Sequence, residues 1–261
     1  MSSVLALVLA CTGTPHADSA ANGEDTAGDS AEAAGFSVSG QVLDLDDQPV
    51  VDVFVTVSTE YCIPDRTAED GSFTVGDVDA GDKRLITYGE TAENGLFASV
   101  VFPFEASDTV TFDDPVLAPA LTETWPLDPT IDQQIETDDG LSLTISADSL
   151  SLAPFAPEEL QVARVPVART PPMVPEGVTL LDVFVLHPIQ STLDPPAPVA
   201  FPGNTELSEG QAVAFWSLDY DTGLMAQVAT GTVDAEGRPV TADGEGLVEL
   251  TWVGVALLEN R

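Results

Sequence analysis

Val51-Asp52-Val53-Phe54-Val55-Thr56-Val57-Ser58 puts valine at every second position. A two-residue period sends successive side chains to opposite faces of an extended chain, so this stretch predicts a β-strand with one apolar face, made by Val51, Val53, Val55 and Val57. Before it, Asp46-Asp47-Gln48-Pro49 reads as a turn leading back to a strand at 38–45. After it, Glu69-Asp70-Gly71-Ser72 is a tight turn in which Gly71 is free to take positive φ, and the strand Phe73-Thr74-Val75 follows. Further apolar runs at 84–88, 96–104 and 109–112 bring the total to about seven short strands between residues 36 and 118.

The rest of the chain repeats the pattern. A proline-punctuated link at 119–129 contains Trp125, and Gly140-Leu141-Ser142-Leu143-Thr144-Ile145 then alternates cleanly. A loop-rich stretch at 153–175 holds a strand-like run at 160–167, and 180–186 is almost wholly apolar, which suits a strand covered on both faces. Later strands are expected at 211–218, 226–233 and 247–253, with turns at Asp219-Tyr220-Asp221-Thr222-Gly223 and Asp234-Ala235-Glu236-Gly237. Beyond residue 11 no stretch of useful length keeps the helical period. The expected fold is all-β, two tandem antiparallel β-sandwich domains at 36–118 and 119–261.

Three segments of the first domain, Ser39-Gly40-Gln41-Val42, Gln48-Pro49-Val50-Val51-Asp52-Val53 and Thr67-Ala68-Glu69-Asp70-Gly71-Ser72-Phe73, together resemble the carboxypeptidase regulatory-like (transthyretin-like) β-sandwich family. Val78-Asp79-Ala80-Gly81-Asp82-Lys83-Arg84-Leu85 is similar to that family's next turn and strand, with Asp79 where proline is common. The resemblance implies a seven-stranded antiparallel stalk or accessory module with no catalytic residues to carry over. In the second domain, Val185-Leu186-His187-Pro188 followed by Pro198-Val199-Ala200-Phe201 resembles the core of a ZU5-like domain. There 140–150 stands for the opening strand and loop, with Ser146 where proline is usual. Residues 217–252 are similar to repeating surface modules of bacterial lipoproteins. What these resemblances imply is a protein-binding module whose partner does not transfer.

At the other end of the chain, Val4-Leu5-Ala6-Leu7-Val8-Leu9-Ala10 is far too short to cross a bilayer as a helix, which takes roughly 20 apolar residues. It is long enough for the core of a signal peptide. Val8-Leu9-Ala10-Cys11 resembles the lipobox of bacterial lipoproteins, which implies that residues 1–10 are removed and that Cys11 carries the lipid. Met1-Ser2-Ser3 has no Lys or Arg, so the true start is expected upstream. An ordinary secretory signal with an incidental cysteine is the alternative. Residues 12–35 hold no aromatic and no aliphatic larger than Ala, so they cannot bury enough surface to offset the entropy of ordering and read as a disordered acidic tether.

The chain carries 44 acidic and 7 basic side chains, a formal charge of −37. Nucleic-acid affinity comes from Lys and Arg neutralising phosphates, so nucleic acid is excluded as a partner. An anionic membrane surface repels such a chain, leaving the lipid as the membrane contact. High charge suits salty water, where repulsion is screened beyond about 8 Å. With Cys11 lipidated, Cys62 is unpaired and no disulfide framework exists, so stability is expected from burial alone.

Little points to a reaction. His16 falls in the tether, and His187 lies between an apolar strand and Pro188, where a core histidine is expected before a base. There is no nucleophile elbow, no zinc spacing and no P-loop, and among so many carboxylates no glycosidase pair stands out. Asp44, Asp46 and Asp47 offer oxygens for calcium without the spacing of an EF-hand. Trp125, Trp216 and Trp252 offer rings for sugars or for packing. Phe215-Trp216 on a strand puts one ring on each face, which leaves Trp216 as the candidate ligand-binding residue. The expectation is a non-enzymatic, lipid-anchored module of the cell envelope, at the outer membrane. It would need no cofactor or metal and would meet an unidentified protein or glycan, the alternative being a carbohydrate- or calcium-binding accessory module.

Overall fold

The computed structural model describes residues 35–58, 62–154 and 156–258. Among them the chain is all-β, with helical turns only at Gly89–Thr91 and Val167–Arg169. The first eight strands are β1 (Phe36–Leu43), β2 (Phe54–Ser58), β3 (Cys62–Arg66), β4 (Ser72–Val78), β5 (Gly81–Tyr88), β6 (Val100–Ala106), β7 (Val110–Thr111) and β8 (Val116–Leu117). They form one sheet in the order β3-β2-β5-β6 and another in the order β4-β1-β7, with β8 also on β1. The short pairings of β1 with β7 and with β8 are parallel, a departure from the antiparallel pattern expected. The tight turn at 69–72 is built as its residues require. Gly71 has a φ of +78°, a Cβ there would sit 2.5 Å from the Val42 carbonyl oxygen, and Asp70 Oδ1 accepts from Ser72 N at 3.0 Å.

Val53, Val55 and Val57 are fully buried, as the alternation predicts, whereas Val51 lies ahead of β2 and is half-buried. The opposite face of β2 is not left to water, however. Thr56 and Ser58 are buried as well, and so are Ile86 and Tyr88 on β5 and Val101 on β6. The cover comes from the second half of the chain.

That half contains β9 (Glu123–Pro126), β10 (Gln133–Glu136), β11 (Ser142–Ile145), β12 (Leu150–Ser151), β13 (Glu159–Val165), β14 (Leu180–His187), β15 (Ser191–Ala197) and β16 (Val199–Ala200). It ends with β17 (Ala212–Asp219), β18 (Leu224–Val233), β19 (Pro239–Thr241), β20 (Leu247–Leu250) and β21 (Trp252–Leu257). One ten-stranded sheet runs β10-β11-β16-β19-β18-β17-β21-β14-β13-β9, and β12-β15-β20 form a small second sheet. The large sheet curls on itself. Phe201, just past β16, meets Phe184 of β14 edge-on at 5.6 Å although β16 and β14 are far apart in strand order. Leu143, Ile145, Val199, Phe184, Leu186 and Phe215 fill the space so enclosed. The run expected as one strand at 247–253 is divided by a bend at Thr251, so that β20 belongs to the small sheet and β21 to the large one.

The nearly all-apolar strand is indeed covered on both faces. β14 sends Phe184 and Leu186 into the enclosed core and Val183 and Val185 outward onto the first half of the chain. β21 does the same with Val253 and Val255 on one side and Trp252 and Ala256 on the other. The outward residues join the core of the first sandwich in one continuous cluster. Directional bonds fix this seam. Trp252 Nε1 donates to the Ser99 carbonyl at 2.7 Å, and Arg169 Nη2 donates to Asp47 Oδ1 at 2.6 Å. The turn at 219–223 rests on the first sandwich, where Arg84 donates to the carbonyls of Tyr220 and Asp221. At its end a Cβ on Gly223, whose φ is +72°, would lie 3.1 Å from the backbone of Phe102 and Pro103.

Candidate functional site

At one mouth of the curled sheet the enclosed core opens to a cleft of ≈ 220 Å³. Its wall is an ion pair. Arg164 on β13 stands opposite Phe184 on β14, which places Asp182 diagonally across on the same face. The guanidinium donates from Nε to Asp182 Oδ1 at 3.1 Å and from Nη2 to Oδ2 at 2.8 Å, and lies 5.7 Å over the Phe184 ring. The facing rim is the loop 202–207. Asn204 N donates to the Gly237 carbonyl at 3.0 Å, and Asn204 Oδ1 accepts from Glu206 N at 2.9 Å, so the loop is anchored to the turn before β19. Phe201, Val255, Leu181 and Leu207 supply the apolar floor, and Thr205 adds a hydroxyl.

Residues singled out from the sequence fall elsewhere. Trp216 is half-buried against the cluster shared by the two halves, after a register shift between Phe215 and Trp216, and does not line the cleft. Its indole Nε1 is enclosed with no hydrogen-bond partner among the described residues. Phe215 is the ring that enters the enclosed core. Trp252 is wholly buried in the seam, and Trp125 packs half-buried on the second core. His187 is 5% exposed and pairs across the strands with Gln161. Burial pushes its pKa down to about 4, so it is neutral near pH 7. Two of the three carboxylates near the first turn are spent on structure. Asp44 Oδ1 accepts from the main-chain N–H groups of Asp46 and Gln48, both at 2.8 Å, while Asp47 holds Arg169. Among the described residues, no three or more His, Cys, Asp or Glu side chains are grouped to hold a metal. Cys11, His16 and the tether up to residue 34 lie outside the described residues, as does the Cys62 side chain.

The seam also collects charge. Tyr220 has its hydroxyl enclosed with no partner among the described residues. Burial, and then the charges of Glu90 and Glu249, raise its pKa well above 10. Glu249 on β20 is raised in turn, by burial first and then by Asp219 and Asp221 in the docking turn. A carboxyl whose pKa is higher folded than unfolded takes up a proton on folding. The cost of its charge is therefore present at neutral pH and disappears as pH falls through the raised value. Glu249→Gln is expected to raise the melting temperature at pH 7, with the gain gone at pH 3.5, as thermal unfolding across that range would show.

No family model matches the chain, and no curated protein matches it. Several solved structures do, at low similarity. The Bacillus anthracis TIE protein is 10% identical, with a TM-score of 0.30 over 87% of this chain and 49% of that one, so this chain spans about half its length. A DUF3823 family protein from Bacteroides ovatus is 10% identical, with a TM-score of 0.26 over 85% of this chain and 90% of that one. A Streptococcal ancillary pilin is 12% identical, with a TM-score of 0.26 over 83% and 51%. Likeness of this degree carries neither fold nor function, which rest on the chain itself.

Proposed function

We propose that this chain is a non-enzymatic bacterial surface lipoprotein. It is held at the outer membrane by lipid on Cys11 and spaced from it by the acidic stretch 12–35. It presents a structural or protein-binding β-sandwich surface from two modules that divide near residue 118. The observation that supports the reading best is the seam. A Trp252 indole bonded across it, and β14 buried on both faces, hold the stacked sheets as one body with a fixed outer surface. Such a body suits presentation better than closure around a substrate. The side-chain inventory agrees. Each of the six described basic residues is engaged within the chain, four with carboxylates and two with main-chain carbonyls. The outer surface is thus left strongly acidic.

Several acyl chains on one cysteine would supply the two or more signals that stable anchoring takes, each buried CH₂ contributing about 0.8 kcal/mol. Growth with a clickable palmitate analogue tests the anchor. Label is expected on the wild-type chain and absent from Cys11→Ala. An unlabelled wild type, or a labelled variant, contradicts the proposal.

A further inference from the structure

We infer that the cleft at the mouth of the curled sheet binds a single uncharged sugar ring, with the Arg164–Asp182 fork as its polar wall. The inference concerns a different part of the molecule from the lipid anchor and stands or falls without it. Mouths of β-barrels and similar curled sheets are a preferred place for ligands, and such sites combine apolar walls with a few fixed polar groups. Both are present here. The fork locks Arg164 Nε and Nη2 onto the two oxygens of Asp182, and Nη1 has no partner among the described residues. Asp182 Oδ1 also accepts from Val183 N at 3.0 Å, so the free lone pair is on Oδ2, and one plane presents a donor with a single acceptor. Adjacent hydroxyls of a sugar, each able to donate and accept, fit that plane, while the C–H face of the ring meets the half-buried Leu207, behind which Phe201 and Val255 are almost wholly buried. Thr205 on the rim offers a further hydroxyl.

Charge and size narrow the class. The lining carries one positive and one negative side chain within a chain of net charge −37. An anionic ligand meets the repulsive field of the whole chain. A cation meets a carboxylate already neutralised by Arg164. A wholly apolar ligand would strip water from the fork without replacing its hydrogen bonds, which is costly. The volume of ≈ 220 Å³ lies below the roughly 300–1,000 Å³ of sites for larger ligands, so one ring fits and a longer segment does not.

The test uses the full chain labelled with ¹⁵N, titrated separately to 50 mM with the methyl glycosides of glucose, galactose, mannose, xylose and N-acetylglucosamine, and with glucuronate. At least one neutral glycoside is expected to shift the amides of Leu181, Asp182, Asn204 and Leu207 saturably, with glucuronate at least tenfold weaker. Arg164→Lys, which keeps the charge and loses the fork, is expected to weaken binding at least tenfold while amides far from the cleft stay in place. Thr205→Val, on an exposed rim, is expected to weaken it severalfold with an unchanged melting temperature. The inference is overturned if no neutral glycoside shifts those amides, if glucuronate binds as well as the best of them, or if Arg164→Lys binds as the wild type does.

Discussion

Replacing Trp252 by alanine is expected to lower the free energy of unfolding by about 3–5 kcal/mol, the range for emptying a fully buried large aromatic position. The residue has no exposed surface, and its cavity would open in the middle of the seam. Trp252→Phe separates packing from hydrogen bonding. Phenylalanine keeps much of the apolar contact but leaves the Ser99 carbonyl without its indole donor, at a cost of about 1–3 kcal/mol for a buried group. Urea unfolding of the three proteins, followed by circular dichroism, measures both steps. If Trp252→Ala unfolds within 1 kcal/mol of the wild type, the residue does not join the two halves as described.

Acid is the second lever. The unfolded chain holds His187 near its ordinary pKa of 6.5, while the folded chain holds it at about 4 because burial disfavours the imidazolium. The folded state thus resists a proton that the unfolded state accepts. Stability from this residue is intact above about pH 6.5, falls as pH drops, and is fully lost below about pH 4. At 1.36 kcal/mol per pKa unit, the loss reaches about 3 kcal/mol. Glu249 acts with the opposite sign over part of the same range, so the clean measurement is a difference. The stability of the wild type minus that of His187→Leu, taken by urea unfolding at half-unit steps from pH 7.5 to 4, is expected to fall by that amount. A flat difference would show that the imidazole is not enclosed.

Much of the fold is legible because apolar alternation is strong where a strand has one buried face. Val53, Val55 and Val57 declare β2 without help, and the Gly71 turn follows from a requirement for positive φ. What the sequence conceals is the seam. Thr56 and Ser58 look like solvent-facing residues, since hydroxyls alternating with valines are the usual sign of a wet face, yet both are covered. The clue lay in the other half, where the run at 180–186 needed cover on two sides and only one could come from its own core. Proline hid other strands. β9 ends in Pro126 and lies at the edge of its sheet, where a missing N–H is tolerated. β15 contains Asp194-Pro195-Pro196, and its pairing with β20 breaks between Thr192 and Ala197, around those prolines. The cleft was not legible at all. Arg164 and Asp182 meet only through the register of β13 on β14, and Asn204 faces them only because the sheet curls.

The continuous core and the Trp252 bond make the two halves one mechanical body. Differential scanning calorimetry of the wild type beside Trp252→Ala tests this most directly. A single transition is predicted, with calorimetric and van't Hoff enthalpies in agreement and moving as a whole to lower temperature in the variant. Two transitions in the wild type, with at most one shifted by the substitution, would contradict it.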